Sequence, residues 1–432
     1  MTMPKRVLVA GTGLIGTSIA LALRDKGAEV WLSDADPGTA KLAADLGAGT
    51  VVPDLRDAKG IADVAVLAMP PAVVGRELRY AQECAVADVY TDVASVKVLP
   101  ARQARDLGCA LEAYVPGHPL AGREKHGPAA AQADLFLGRT WAVCPLPETS
   151  RDAVEAVTGL AAACGADPLV TDPATHDRWV ALVSHAPHLV AVAMAARLAP
   201  SNVPADALKL AGGGLRDVTR IAAGDSALWT QILSANAGPV AEVVAEVAAD
   251  LAAVARLLSR LPPGTSLAGA GTAGVTSLLD RGRAGTGRIP GKHGGQPRNF
   301  TVVQVVIADR PGELARLFNA AGAAGVNIED IRLEHSPGLP VGVAELSVRP
   351  DQAGTLLDAM EAGGWPVRRL TRSSALPPQC PARAHSGSRR GYFTLRAGFT
   401  KRGMARAEPG CRPWRSRATV NGSREPAGCV SS

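Results

Sequence analysis

Short apolar runs alternate with stretches of helical period over residues 1–168. Residues 6–10, 29–33, 63–69, 88–91 and 140–144 read as strands, and the segments between them as helices. That alternation predicts an α/β fold with a parallel, doubly wound sheet of Rossmann type. From 169 to 263 the pattern becomes helical. Residues 176–198 predict one long helix, with Pro187 as the expected kink, and residues 227–261 a second, closed by Pro262, Pro263 and Gly264. Helices this apolar need cover on several faces, which predicts a homodimer. Residues 264–298 are glycine-rich and read as a linker with little regular structure. Over 299–372 the pattern gives strand 300–307, helix 312–323, strands 327–334 and 341–348, helix 352–363 and strand 367–370, a βαββαβ unit. Residues 373–432 carry no hydrophobic period and predict disorder.

Charge changes the picture in one place. The chain of 432 residues has a formal net charge of +6, with 20% charged residues. Twelve Lys/Arg and two Asp/Glu fall from Thr371 onward, which leaves 34 Lys/Arg against 38 Asp/Glu before it. The body is therefore mildly acidic, and nucleic acid is not the expected partner. Of seven cysteines, Cys84, Cys109, Cys144 and Cys164 show no paired spacing and read as buried, reduced thiols. The chain runs from its first residues straight into a strand and a glycine turn, so no signal peptide is expected. No uninterrupted apolar run reaches the ~20 residues of a membrane helix. A cytoplasmic protein is the expectation.

Four segments carry chemistry. The first strand leads into Gly11-x-Gly13-Leu14-Ile15-Gly16 and an apolar helix. There Gly11 permits the turn, Gly13 bares the backbone to a pyrophosphate, and Gly16 lets the helix pack on the strand. Asp34 ends the second strand. Its carboxylate suits the ribose hydroxyls of NAD and repels the phosphate of NADP. Ser95, after a parallel strand, can orient a catalytic group or cap a helix. His118 lies between Gly117 and Pro119 on an expected rigid turn, where it can take a proton near neutral pH. Asp177 and His188 are eleven residues apart, so a regular helix would project both from one face. His185 and His188 have no suitably spaced third ligand, and no metal is expected. Arg216 and Arg220, four apart, suit carboxylates, with Trp229 beyond them.

Taken together, GTGLIG, DVASVK, GHPLAGREKHG, HDRWVALVSHAPH and GGGLRDVTRIA, in this order, resemble the prephenate/arogenate dehydrogenase family over residues 6–261. The resemblance implies a Rossmann domain, a helical dimerisation domain, and NAD-dependent oxidative decarboxylation of prephenate to 4-hydroxyphenylpyruvate. It implies His118 as catalytic base and Ser95 as the group that orients it. On the substrate side it implies Arg220 for a carboxylate and His188 as a second histidine. It also implies Asp177 and Glu124 as acidic residues that gate or order the pocket, with Arg216 nearby. Arg123 stands where family members often carry a small residue, which bears on prephenate against arogenate as substrate. Residues 299–372 resemble an ACT regulatory domain through DRPGEL and GVNIED. That likeness implies an aromatic amino-acid effector near Gly312, Leu314 and Asn327. The alternatives are an arogenate dehydrogenase and a non-catalytic NAD/amino-acid sensor. A β-hydroxyacid dehydrogenase would use a lysine base in the helical part, and no suitable lysine stands there.

Overall fold

The structure is a computed structural model that describes residues 3–121, 126–200, 203–261, 273–289, 300–335 and 340–370. Met1–Arg372 forms one compact unit. The tail expected to be disordered lies outside the described residues.

Eight strands form the first sheet: β1 (Arg6–Ala10), β2 (Glu29–Ser33), β3 (Thr50–Val51), β4 (Ala62–Leu67), β5 (Ala87–Asp92), β6 (Tyr114–Pro119), β7 (Thr140–Val143) and β8 (Asp167–Val170). Their order is β3-β2-β1-β4-β5-β6-β7-β8. The chain winds outward from β1 in one direction and from β4 in the other, so the crevice of a doubly wound fold opens after β1 and β4. The expected all-parallel sheet needs one correction: β6 and β7 pair antiparallel, so β7 and β8 run against the rest. β1 shows why the sheet is double-faced. Val7 and Val9 enter the core on one side with Ile19, Leu23 and Leu160, while Leu8 faces the other side with Leu78, Tyr90 and Tyr114. Strands buried on both faces read as continuous apolar runs, which is how they were recognisable.

The expected long helix exists, but not as a regular one. Pro173–Val180 is α-helical, Ala181–His185 forms a π turn, and Ala186–Ala195 resumes the α-helix. The N–H of Ala186 reaches back to Ala181 O across the widened turn. Pro187 has no N–H and its ring crowds the carbonyl four residues earlier, so the helix widens just before it. The continuous stretch Pro173–Leu198, 26 residues, is long and apolar enough to cross a membrane by length and composition alone, though polar residues interrupt it. Of its polar residues, His176, Asp177, His185 and His188 are buried, while Arg178, Ser184 and Arg197 are exposed. The second expected helix is two, Ser226–Ala235 and Ala237–Leu258, broken at the buried Asn236. A helix, Ala273–Thr286, also occupies part of the expected linker, tied to its predecessor by Arg281 and Asp250 at 2.7 Å.

The C-terminal βαββαβ pattern folds as read. β9 (Thr301–Ala308), β10 (Asp330–His335), β11 (Val341–Val348) and β12 (Val367–Leu370) make an antiparallel sheet in the order β10-β11-β9-β12. β11 alternates strictly between buried and half-buried positions. Its inner face packs with Leu317, Leu356 and Met360 of the two helices Glu313–Ala323 and Ala353–Ala362.

Candidate active site

The glycine turn follows β1. Gly11 has φ +94°, and a Cβ there would sit 2.2 Å from Ala68 O after β4; a Cβ on Gly16 would sit 1.9 Å from Gly11 O. Both positions thus bring helix Leu14–Arg24 against the strand ends. Gly13 differs: a Cβ would meet nothing within 4 Å, and no side chain caps the helix it precedes. No side chain takes the first-turn N–H groups, the arrangement that can receive a phosphate. Asp34 stands beside this turn. Its Oδ2 accepts from Thr12 N at 2.6 Å and Thr12 Oγ1 at 2.9 Å, and its Oδ1 from Asp36 N at 2.9 Å. The open backbone at Gly13 and the carboxylate at the end of β2 fit the pyrophosphate and ribose of a dinucleotide.

His118 lies on the same edge of the sheet, three strands away, or roughly 14 Å at ~4.8 Å per strand. It sits within β6, not on the expected turn, because β7 pairs with this segment and places Ala142 opposite His118. Every other residue of β6 is buried, and His118 alone keeps accessible surface. Gly117 allows the close packing behind it: a Cβ there would lie 3.0 Å from Asp92 O and Thr91 Oγ1 and 3.1 Å from Trp141 Nε1. Beneath runs a fully buried ion pair. Lys97 Nζ donates to Asp92 and to Gly117 O, while Asp92 also accepts from Tyr114 OH at 2.7 Å and Ala94 N at 2.9 Å. A buried charge pair survives only when its remaining hydrogen-bonding capacity is filled, as here. Burial pushes the Tyr114 hydroxyl well above its usual range, with Asp92 adding to it.

The partner of His118 is His176, which the sequence reading passed over. His118 Nδ1 and His176 Nε2 are 2.9 Å apart, with the rings at 74°. His176 Nδ1 is 2.8 Å from Asp177 Oδ1, the same oxygen accepts from Lys97 N at 2.8 Å, and Oδ2 accepts from Val98 N at 2.9 Å. Asp177 therefore caps helix Val98–Asp106, whose own N-cap Lys97 offers no side-chain cap. With both oxygens engaged and the residue buried, Asp177 stands behind His176, where it can order the pocket. The Ser95 hydroxyl makes no hydrogen bond among the described residues, and no side chain of the N-cap residue caps helix Val98–Asp106. His176 could have been noticed as the one histidine adjacent to the singled-out aspartate.

Asn236 joins this cluster to the next. Its Nδ2 donates to Asp177 O at 2.8 Å and lies 3.1 Å from His185 Nδ1. His185 meets Trp229 edge-on at 6.1 Å, and His188 stacks on Trp229 at 3.5 Å and 6°. The extra residue of the π turn explains why Asp177 and His188 part company, one toward helix Val98–Asp106 and the other onto Trp229. Burial lowers the pKa of His118 well below the usual histidine range, and His176, Lys97 and His185 lower it further. His185 is brought to about 4 by burial, and His188 is lowered by the same cause. Arg216, on helix Gly213–Thr219, and Arg220, in the turn that follows, are exposed and unpaired among the described residues. Arg123 and Glu124 lie outside the described residues.

In the βαββαβ segment, Gly312 opens helix Glu313–Ala323 at φ +85°. Leu314 packs against the core there, and Asn327 Nδ2 donates to Glu329 Oε1 at 3.1 Å. Glu313, which the sequence reading missed, is buried beneath Arg310, Arg316 and the Trp365 indole N–H. Its carboxyl is held at about 2, chiefly by Arg316.

Residues 19–170 match the model of the prephenate dehydrogenase nucleotide-binding domain, and residues 172–262 that of the prephenate dehydrogenase dimerization domain. A probable prephenate dehydrogenase, NovF, of Streptomyces niveus is 37% identical over 365 residues, covering 84% of this chain and 99% of that protein. The prephenate dehydrogenase of Bacillus subtilis is 33% identical over 246 residues, 54% of this chain and 65% of that one. Among solved structures, the prephenate dehydrogenase of A. aeolicus in complex with hydroxyphenyl propionate and NAD+ superposes with a TM-score of 0.57 at 26% identity, over 66% of this chain and 99% of that one. Fold, motif order and both domain matches agree: the chain belongs to the prephenate dehydrogenase family.

Proposed function

We propose that this oxidoreductase converts prephenate to 4-hydroxyphenylpyruvate and CO2 with NAD. The observation that carries the reading is His118. It is the accessible residue of β6, on the strand edge shared with the glycine turn, and it is held neutral by burial. The N–H groups from Leu14 to Gly16 and the Asp34 carboxylate would hold the dinucleotide, and that carboxylate favours NAD over NADP. When bound, the nicotinamide supplies the acceptor for the hydrogen on ring carbon 4. His118 takes the proton of the hydroxyl on that carbon. The developing carbonyl draws in the electrons released as the ring carboxylate leaves, and His118 returns the proton to the new phenol oxygen. Arg220, exposed and unpaired among the described residues, binds a substrate carboxylate, with Arg216 and His188 as further substrate-side groups. The relative covered almost end to end is named for prephenate, which favours that substrate over arogenate.

On this reading residues 1–168 bind the cofactor and 169–263 bind substrate and form the dimer. Residues 264–298 connect them to an ACT-type regulatory unit, 299–372, which takes an aromatic amino acid near Gly312 and Asn327. The test is NADH formation with prephenate and arogenate in parallel, each with NAD and NADP. Turnover is expected with prephenate and NAD, and none with either substrate would defeat the proposal. His118→Asn should keep NAD binding and lose about 10²–10⁴-fold in kcat.

A further inference from the structure

The hydrogen bonds joining Asp177, His176 and His118 constrain where each proton sits. The Asp177 carboxylate only accepts, and it already takes two backbone N–H groups. His176 must therefore present Nδ1–H to it, and the neutral ring then has its lone pair on Nε2. That lone pair lies 2.9 Å from His118 Nδ1, so His118 must carry its proton on Nδ1. Its Nε2 is then bare.

We propose that His176, set by Asp177, is a positioning residue that holds His118 in the tautomer able to act as a base. The proposal rests on reading His118 as the base of the reaction. It assigns an orienting role to the helix Pro173–Val180, which carries both His176 and Asp177. Once Nε2 accepts the substrate proton, the Nδ1–H bond to His176 remains, and the carboxylate behind steadies the cation. When the proton returns to the phenol oxygen, the pair is reset with no net proton gained or lost.

The ring nitrogens can be read directly. In the full-length enzyme labelled with ¹⁵N-histidine, long-range ring correlations should show His118 protonated at Nδ1 and bare at Nε2, with the signal assigned by its loss in His118→Asn. His176→Leu should release that tautomer and lower kcat about 10²-fold, while KM and NAD affinity stay within about threefold. His176→Gln, whose side-chain oxygen can accept the Nδ1 proton, should recover kcat to within about tenfold of wild type. A wild-type ring protonated at Nε2 overturns the proposal. So do Leu and Gln variants that are equally active or equally impaired. If the wild type fails to turn over prephenate, the functional reading fails, while the tautomer is still decided by the spectrum.

Discussion

Burial holds His118, His185 and His188 below the ordinary histidine value, and all three resist protonation in the folded chain. The unfolded chain takes up those protons near pH 6.5, so folding keeps their full contribution only above that value. Stability should then fall as pH drops from about 6.5 toward about 4, where His185 titrates. A shift of that size corresponds to something on the order of 3 kcal/mol for His185, at ~1.4 kcal/mol per unit. Denaturant midpoints at neutral and mildly acid pH check this, and a flat profile would contradict it. The acid limb of kcat/KM should also lie below the ordinary histidine pKa, since that limb reports the free enzyme. At this scale the sequence showed His118, His188 and Asp34 through motif and spacing. It could not show His176 or Lys97, because their meaning lies in contacts with residues 58 and 20 positions away.

Elements were legible to the degree that one period ran through them. β1 and β4 announced themselves by continuous apolar runs, and the βαββαβ unit by clean alternation. β6 was hidden because Pro116, Gly117 and Pro119 read as turn residues, and only its pairing with β7 makes it a strand. The π turn was hidden because no period marks one surplus residue; Pro187 signalled disturbance without its form. The glycine turn permits a sharp test. A methyl group on Gly16 would lie 1.9 Å from Gly11 O, so Gly16→Ala must push helix Leu14–Arg24 off the strand end. NAD affinity should fall more than about tenfold in an NAD titration, with the distant His176–His118 bond intact. Unchanged affinity would mean the dinucleotide lies elsewhere.

For the whole molecule, the open question is what covers the helices. Trp179, Leu182, Val183 and Met194 leave 48%, 59%, 65% and 44% of their surfaces exposed along one helix. Apolar side chains gathered like this mark an interface, and the matched domain is described as a dimerization domain. Sedimentation of the 44.3 kDa chain should give twice that mass, and Leu182→Glu with Val183→Glu should return it to the monomer. A wild type that sediments as a monomer would remove the dimer from the proposal. The apolarity of these helices foretold a need for cover, since chain composition records how much surface must be hidden.

Asp177 serves two masters at once, the start of helix Val98–Asp106 and the ring of His176. For a lineage of such chains this couples two histories. A replacement at this position is judged by whether the helix seats before it is judged by whether the histidine works. Variation that would tune the chemistry alone must therefore arise at His176 or beyond, where a change leaves the architecture standing.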